Sequence, residues 1–170
     1  MPSVVELSLP DSTATEALGR SLAYSMPPTA ACGAVLYLQG ELGTGKTTTV
    51  RSLLHALGVT GKVRSPTYTL IDTYELPSLA CVHIDLYRVL SATQVEELGI
   101  RDMAGPGCLM LIEWPEKGRG AIPDADLVLA LAYADDARHI SVRAHSALGN
   151  AWQLQLLKDA RLIPYVSNLT

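Results

Sequence analysis

The chain has 170 residues, 48% hydrophobic and 18% charged, enough apolar material for one compact core and no compositional case for disorder. Its net charge of −4, with no basic run, argues against holding nucleic acid unaided, so any role near RNA would run through a partner. Cys32, Cys81 and Cys108 are scattered and form no C-x-x-C, which speaks against a disulfide framework or a zinc site and leaves three reduced, buried thiols as the expectation. There is no Phe, so the core is expected to be mostly Leu, Val, Ile and Ala.

In chain order, Val4 to Leu9 reads as a first strand stopped by Pro10. Thr13-Ala14-Thr15-Glu16 fits a capping box opening a helix with Leu18 and Leu22 on one face. Ala34 to Gln39 is a short buried strand. After it, Val50, Leu53, Leu54 and Leu57 fall at i, i+3, i+4, i+7, one face of a helix that Gly58 would end. Leu70 to Tyr74 and Cys81 to Asp85 pair as strands across a turn containing Pro77. Ser91 to Gln94 is a second capping box, for a short helix closing near Gly99. Leu109 to Ile112 is another apolar strand. Leu127 to Tyr133 and Ile140 to Val142 alternate around Asp135-Asp136 as an antiparallel hairpin. A helix over Trp152 to Leu157 is expected in the tail. The fold class that follows is α/β with a sheet only partly parallel. The start of the chain lacks a charged-then-apolar leader and no apolar run reaches membrane-spanning length, so a cytoplasmic protein is expected.

Gly40-Glu41-Leu42-Gly43-Thr44-Gly45-Lys46-Thr47 satisfies G-x-x-x-x-G-K-[ST] at every defined position. Glycines let the backbone turn its N–H groups onto phosphate oxygens, and the helix that follows aims its positive end at the same anion. Lys46 would reach the β and γ phosphates and the Thr47 hydroxyl would hold magnesium. The string arises by chance on the order of once in a few hundred chains of this length. Here it also stands between an apolar strand and an amphipathic helix, the context that separates a phosphate loop from coincidence.

Such a loop needs an acid at the end of a neighbouring apolar strand. Glu113 after Leu109 to Ile112 and Asp85 after Cys81 to Ile84 both qualify. Glu113 is assigned to magnesium, directly or through a water; Asp85 is assigned to the attacking water or to a second metal-bound water. Ser65-Pro66-Thr67 reads as a switch, with Pro66 holding Ser65 extended and Thr67 sensing the γ-phosphate, against the alternative of an ordinary proline loop. Arg64 and Arg88 are candidates for stabilising the transferring phosphoryl group, or form surface ion pairs. Trp114 is read first as a core anchor and second as a partner contact. His83 is read as structural or as support for a site residue, not as a catalytic base.

Together these residues resemble the TsaE (YjeE) family. The blocks GELGTGKTT at Gly40 to Thr48, SPTYTL at Ser65 to Leu70, HIDLYR at His83 to Arg88 and IEWPEKGRG at Ile112 to Gly120 carry the resemblance. LPD at Leu9 to Asp11, ELGI at Glu97 to Ile100 and IPDADL at Ile122 to Leu127 extend it. The resemblance implies a P-loop NTPase fold, with a central mixed, mostly parallel sheet flanked by helices and ending in an antiparallel hairpin. The length fits one ATPase domain over residues 1–170, and its tail over 150–170, expected to be helical in part, lies outside the resemblance. The resemblance implies ATP or ADP with Mg2+, bound by Gly40 to Thr48, with Lys46, Asp85 and Glu113 catalytic and Thr47 and Glu113 at the metal. Ser65, Pro66, Thr67, Arg88 and Trp114 match switch or partner-contact positions. The family implies an accessory role in threonylcarbamoyladenosine modification of tRNA beside the anticodon, with the TsaD–TsaB pair as partner and tRNA met only through that complex.

A small-molecule P-loop kinase would need a second pocket and an arginine-bearing lid, and only short insertions occur here. A GTP switch would carry N-K-x-D, which neither Asn150 nor Asn168 begins. A binding module without turnover would not need both acids.

Overall fold

Strand-forming runs become eight strands in the computed structural model, which describes residues 4–169. These are β1 (Val4–Leu9), β2 (Ala34–Gln39), β3 (Ile71–Glu75), β4 (Ala80–Asp85), β5 (Cys108–Glu113), β6 (Leu127–Ala134), β7 (Ala137–Ala144) and β8 (Val166–Leu169). They form one sheet in the order β3-β4-β5-β2-β6-β7-β1-β8. Its core, β4-β5-β2-β6, is parallel, and both flanks are antiparallel. The β3–β4 and β6–β7 pairs follow from short connections, since a tight turn can join only antiparallel neighbours, whereas β1 pairs with β7 and β8 across most of the chain. Asp135, at φ 51°, makes the two-residue turn between β6 and β7.

Five helices complete the architecture: α1 (Ser12–Tyr24), α2 (Lys46–Ala56), α3 (Ala92–Glu97), α4 (Ile100–Met103) and α5 (Ala147–Leu156). The cap of α1 differs from the capping box expected at Thr13. Asp11 is the N-cap, its carboxylate accepting from the Ala14 N–H at 2.8 Å, so the helix starts earlier and Thr13 lies inside it. Ser91 caps α3 as expected, while Gln94 accepts from the Leu90 N–H. The tail helix begins at Ala147 because Ser146 caps it, accepting from the Gly149 N–H at 3.0 Å. The chain does not end on the hairpin: after α5 it returns to add β8 beside β1.

Strand alternation sends one set of side chains to each face. Leu36, Leu38, Leu109, Leu111 and Cys81 meet Leu18, Leu22, Val50, Leu53, Leu54 and Trp152 in the larger core. Val35, Val82, Ile84, Met110 and Ile112 meet Val95 and Ile100 on the other face. Helix α1 holds α2 in place through a close approach at Gly19, where a Cβ would stand 2.4 Å from the Thr49 carbonyl oxygen. The Ser52 hydroxyl donates to the Glu16 carbonyl at 2.6 Å across the same contact. The fully buried tryptophan is Trp152, whose indole N–H donates to the Leu22 carbonyl. Among the described residues no helix is long and apolar enough to cross a membrane.

Candidate functional site

The parallel core ends its strands side by side, and β2 hands the chain to α2 through residues 40–45. Gly40 sits at φ 140°, with the Leu131 carbonyl oxygen 2.2 Å from where a Cβ would be, so no other residue fits there. Gly43 and Gly45 also take positive φ. Thr44 is buried and its hydroxyl donates to the Glu41 carbonyl at 2.8 Å, pinning the turn from within. Glu41 and Leu42 point outward, Leu42 66% exposed, and serve the loop through their backbone. The Tyr133 hydroxyl donates to the Leu42 carbonyl, tying the hairpin to the loop.

Lys46 is 4% exposed and curls back, its Nζ donating to the carbonyls of Gly40 (2.6 Å) and Glu41 (2.9 Å). The ammonium also lies 4.2 Å from the centre of the Trp114 ring. Burial lowers its pKa, and the carboxylates of Glu113 and Asp85 oppose that shift.

The acids arrive by register. Strands β4 and β5 are parallel with Asp85 opposite Glu113, so both carboxylates emerge at the same level. Thr47, in the first turn of α2, donates its hydroxyl to Glu113 Oε1 and Oε2 at 3.0 and 3.1 Å. The buried His83 ring reaches Glu113 Oε1 at 2.8 Å through Nε2. Asp85 accepts from the Ser65 hydroxyl, more distantly from Thr67 (3.5 Å), and from the Tyr87 N–H (2.9 Å). The Asp85 N–H donates to the Leu70 carbonyl, so the Ser65–Leu70 segment is tied to β4 by backbone and side chain together.

Lys46, Thr47, Thr48, Ser65, Thr67, Asp85, Glu113 and Trp114 line one cleft of about 280 Å³. Pro66 is buried beside it. Trp114 packs against the second core, as expected, but is only half-buried and serves the cleft as well. It takes a left-handed backbone, φ 57° and ψ 46°, and its half-buried ring forms a cleft wall 5.0 Å from Tyr87. Pro115 disfavours the right-handed alternative at that position. Arg64 and Arg88 are exposed and do not line the cleft; Arg88 stacks on Tyr68 at 4.3 Å. Cys32 is exposed, contrary to the expectation of three buried thiols, because it closes a surface 3-10 turn, Pro28–Cys32.

A second cavity of about 260 Å³ adjoins the other side of the loop. It shares Gly43, Gly45 and Thr48 and adds Pro10, Asp11, Thr15, Asp136 and Arg138. The pairing of β1 with β7 brings these two segments together. A larger hollow of about 540 Å³ around Tyr37, Val128 and Ser141 holds neither the phosphate-loop residues nor the two strand-end acids.

The residues fit a magnesium nucleotide. The first N–H groups of α2 have no intrahelical acceptor and face the loop's concavity, as an anion requires. Thr47 and Glu113 converge as oxygen donors. Among the described residues no three His, Cys, Asp or Glu side chains gather as a closed cage. Magnesium takes one or two protein oxygens and completes its shell from phosphate and water, a role the Thr47 hydroxyl and the Glu113 carboxylate fit.

The chain is also similar to known proteins. The sequence model of the family described as "Threonylcarbamoyl adenosine biosynthesis protein TsaE" matches residues 9–140. The tRNA threonylcarbamoyladenosine biosynthesis protein TsaE of Haemophilus influenzae is 44% identical over 115 residues, 68% of this chain and 73% of that protein. The Bacillus subtilis protein of the same name is 34% identical over 123 residues, 72% and 75% of the two chains. The crystal structure of Bacillus subtilis YdiB superposes with a TM-score of 0.72 at 26% identity, covering 93% of this chain and 97% of that one.

Proposed function

The chain belongs to the TsaE family, and from that premise we propose that it is a magnesium-dependent ATPase accessory to threonylcarbamoyladenosine modification of tRNA next to the anticodon. It acts in the cytoplasm as one ATPase unit with a TsaD–TsaB pair, meets tRNA only through that complex, and does not transfer the group itself. The observation that carries this reading is the meeting of Lys46, Thr47, Asp85 and Glu113 in a single cleft, with Thr47 already bonded to Glu113.

In this reading Lys46 exchanges the Gly40 and Glu41 carbonyls for the β and γ phosphates, joined by the first-turn N–H groups of α2. Thr47 and Glu113 hold Mg2+, which when bound neutralises charge on the phosphate oxygens. Asp85 exchanges the Ser65 hydroxyl for the attacking water and orients it for in-line approach. Ser65 and Thr67, released from Asp85, become free to report the γ-phosphate, which makes the segment a switch. The nucleoside extends over Gly43 into the cavity lined by Asp11, Thr15 and Arg138. Lys46 is the one cation among the described residues lining the phosphate cleft. This supports slow turnover alone, accelerated when a partner completes the charge stabilisation.

The test is ATP hydrolysis by the purified chain alone and then with TsaD and TsaB. Stimulation by the pair, abolished by Lys46→Ala or Glu113→Gln, is the expected result. Hydrolysis that ignores the pair would remove the partner assignment and leave the nucleotide chemistry. Phosphorylation of an added metabolite would instead favour a kinase.

A further inference from the structure

His83 takes no part in the chemistry described above, yet it is fully buried beneath the cleft. It stands between Cys81 and Asp85 on β4, and its imidazole crosses to Glu113 on β5 rather than staying within its own strand. Its Nε2 lies 2.8 Å from Glu113 Oε1, while Nδ1 has no hydrogen-bond partner among the described residues. A core site of this kind is served more cheaply by Leu or Val, since a buried unpaired nitrogen is destabilising. Packing alone therefore does not account for a histidine here. Facing a carboxylate that only accepts, Nε2 carries the hydrogen of this bond.

The two donors to Glu113 are not equivalent. Thr47 approaches both carboxylate oxygens almost equally, at 3.0 and 3.1 Å, and so does not distinguish them. His83 touches Oε1 alone, from a different element and from below. That single contact breaks the symmetry. Oε1 is contacted by both His83 and Thr47, whereas Oε2 is contacted by Thr47 alone.

We propose that His83 is a positioning residue for magnesium: its Nε2–H fixes Glu113 Oε1 so that Oε2 is presented, beside the Thr47 hydroxyl, to the metal. The proposal rests on the magnesium-nucleotide reading of the cleft. His83 touches neither nucleotide nor metal and acts only through Glu113. Outer partners of this kind typically change metal affinity 10- to 100-fold.

The experiment measures binding of a fluorescent ADP analogue to the full chain in magnesium and in EDTA, so that no turnover is involved. For His83→Leu, which keeps the bulk and removes the donor, the affinity gained from magnesium should fall by about tenfold or more, with affinity in EDTA unchanged. His83→Gln, whose amide N–H can stand near the Nε2 position, should recover most of that gain. His83→Asn, too short to reach Glu113, should behave as His83→Leu and replaces it if the leucine variant does not fold. A magnesium gain unaltered in a folded His83→Leu or His83→Asn would overturn the proposal, as would equal loss in His83→Gln and the donor-less variants. A wild-type chain indifferent to magnesium would overturn the reading underneath it, a result distinct from either.

Discussion

The phosphate side of the cleft is contiguous in the chain, from Gly40 to Thr48, whereas the acidic side is assembled from Ser65, Asp85 and Glu113 on a loop and two strands. The first side works through backbone: glycine conformations, first-turn N–H groups and one lysine. The second works through side chains that strand register brings level. A contiguous site tolerates change at its outward positions but not at its glycines. An assembled site tolerates small backbone changes and depends on the hydrogen bonds that hold each carboxylate.

This contrast is open to attack, beginning with its largest expected effect. Gly40→Ala forces a Cβ against the Leu131 carbonyl at a backbone angle alanine resists, so stability should fall by about 3 kcal/mol or more and nucleotide binding should be lost. Leu42→Ala, two residues on and largely exposed, should leave both nearly as they were. Urea unfolding and nucleotide titration of the pair compare backbone with side chain directly; similar losses in both variants would contradict a backbone-built loop.

Glu113→Gln keeps size and shape but removes the charge, and should lower turnover about 100-fold while the fold survives. Asp85→Asn should lower turnover comparably and leave nucleotide affinity intact. Single-turnover kinetics beside binding measurements separate the two roles, and wild-type rates in both variants would remove the acidic side from the mechanism.

Ser65→Ala deletes one donor to Asp85, with an expected cost of about 1 kcal/mol in stability and a change in turnover well under that of Asp85→Asn. A larger effect on turnover than Asp85→Asn would make the serine, not the acid, the active group.

The smallest effect is chemical. Burial pushes the Cys81 thiol up to about 12 and raises Cys108 as well, so both stay protonated and unreactive at pH 8. Cys32 is exposed. A thiol reagent should titrate one group in the native chain and three in denaturant; rapid reaction of all three would mean that the β4–β5 region opens readily.

Much of this was legible beforehand. The apolar stripe of α2, the buried runs of β2 and β5 and the hairpin around Asp135 are local patterns, and each became the element it implied. The first cap was misread by two residues because Asp11 and Thr13 are both competent capping residues and sequence does not say which the backbone will choose. Trp114 packs on the core as expected, but its second role was not legible. Its left-handed backbone sets the ring between the core and Lys46, and no hydropathy pattern records that placement.

By itself, the sequence determined the phosphate loop, the identity of its lysine and threonine, and the two strand-end acids, because each depends on neighbours within a few residues. Only the tertiary structure decided that Asp85 stands opposite Glu113, that His83 reaches across to one carboxylate oxygen, and that the β1–α1 segment and the hairpin close a second cavity beside the loop. Those depend on which strands pair and in what register. Pairing is settled by the whole sheet burying its apolar faces at once, and a one-residue slip would turn each acid to the opposite face.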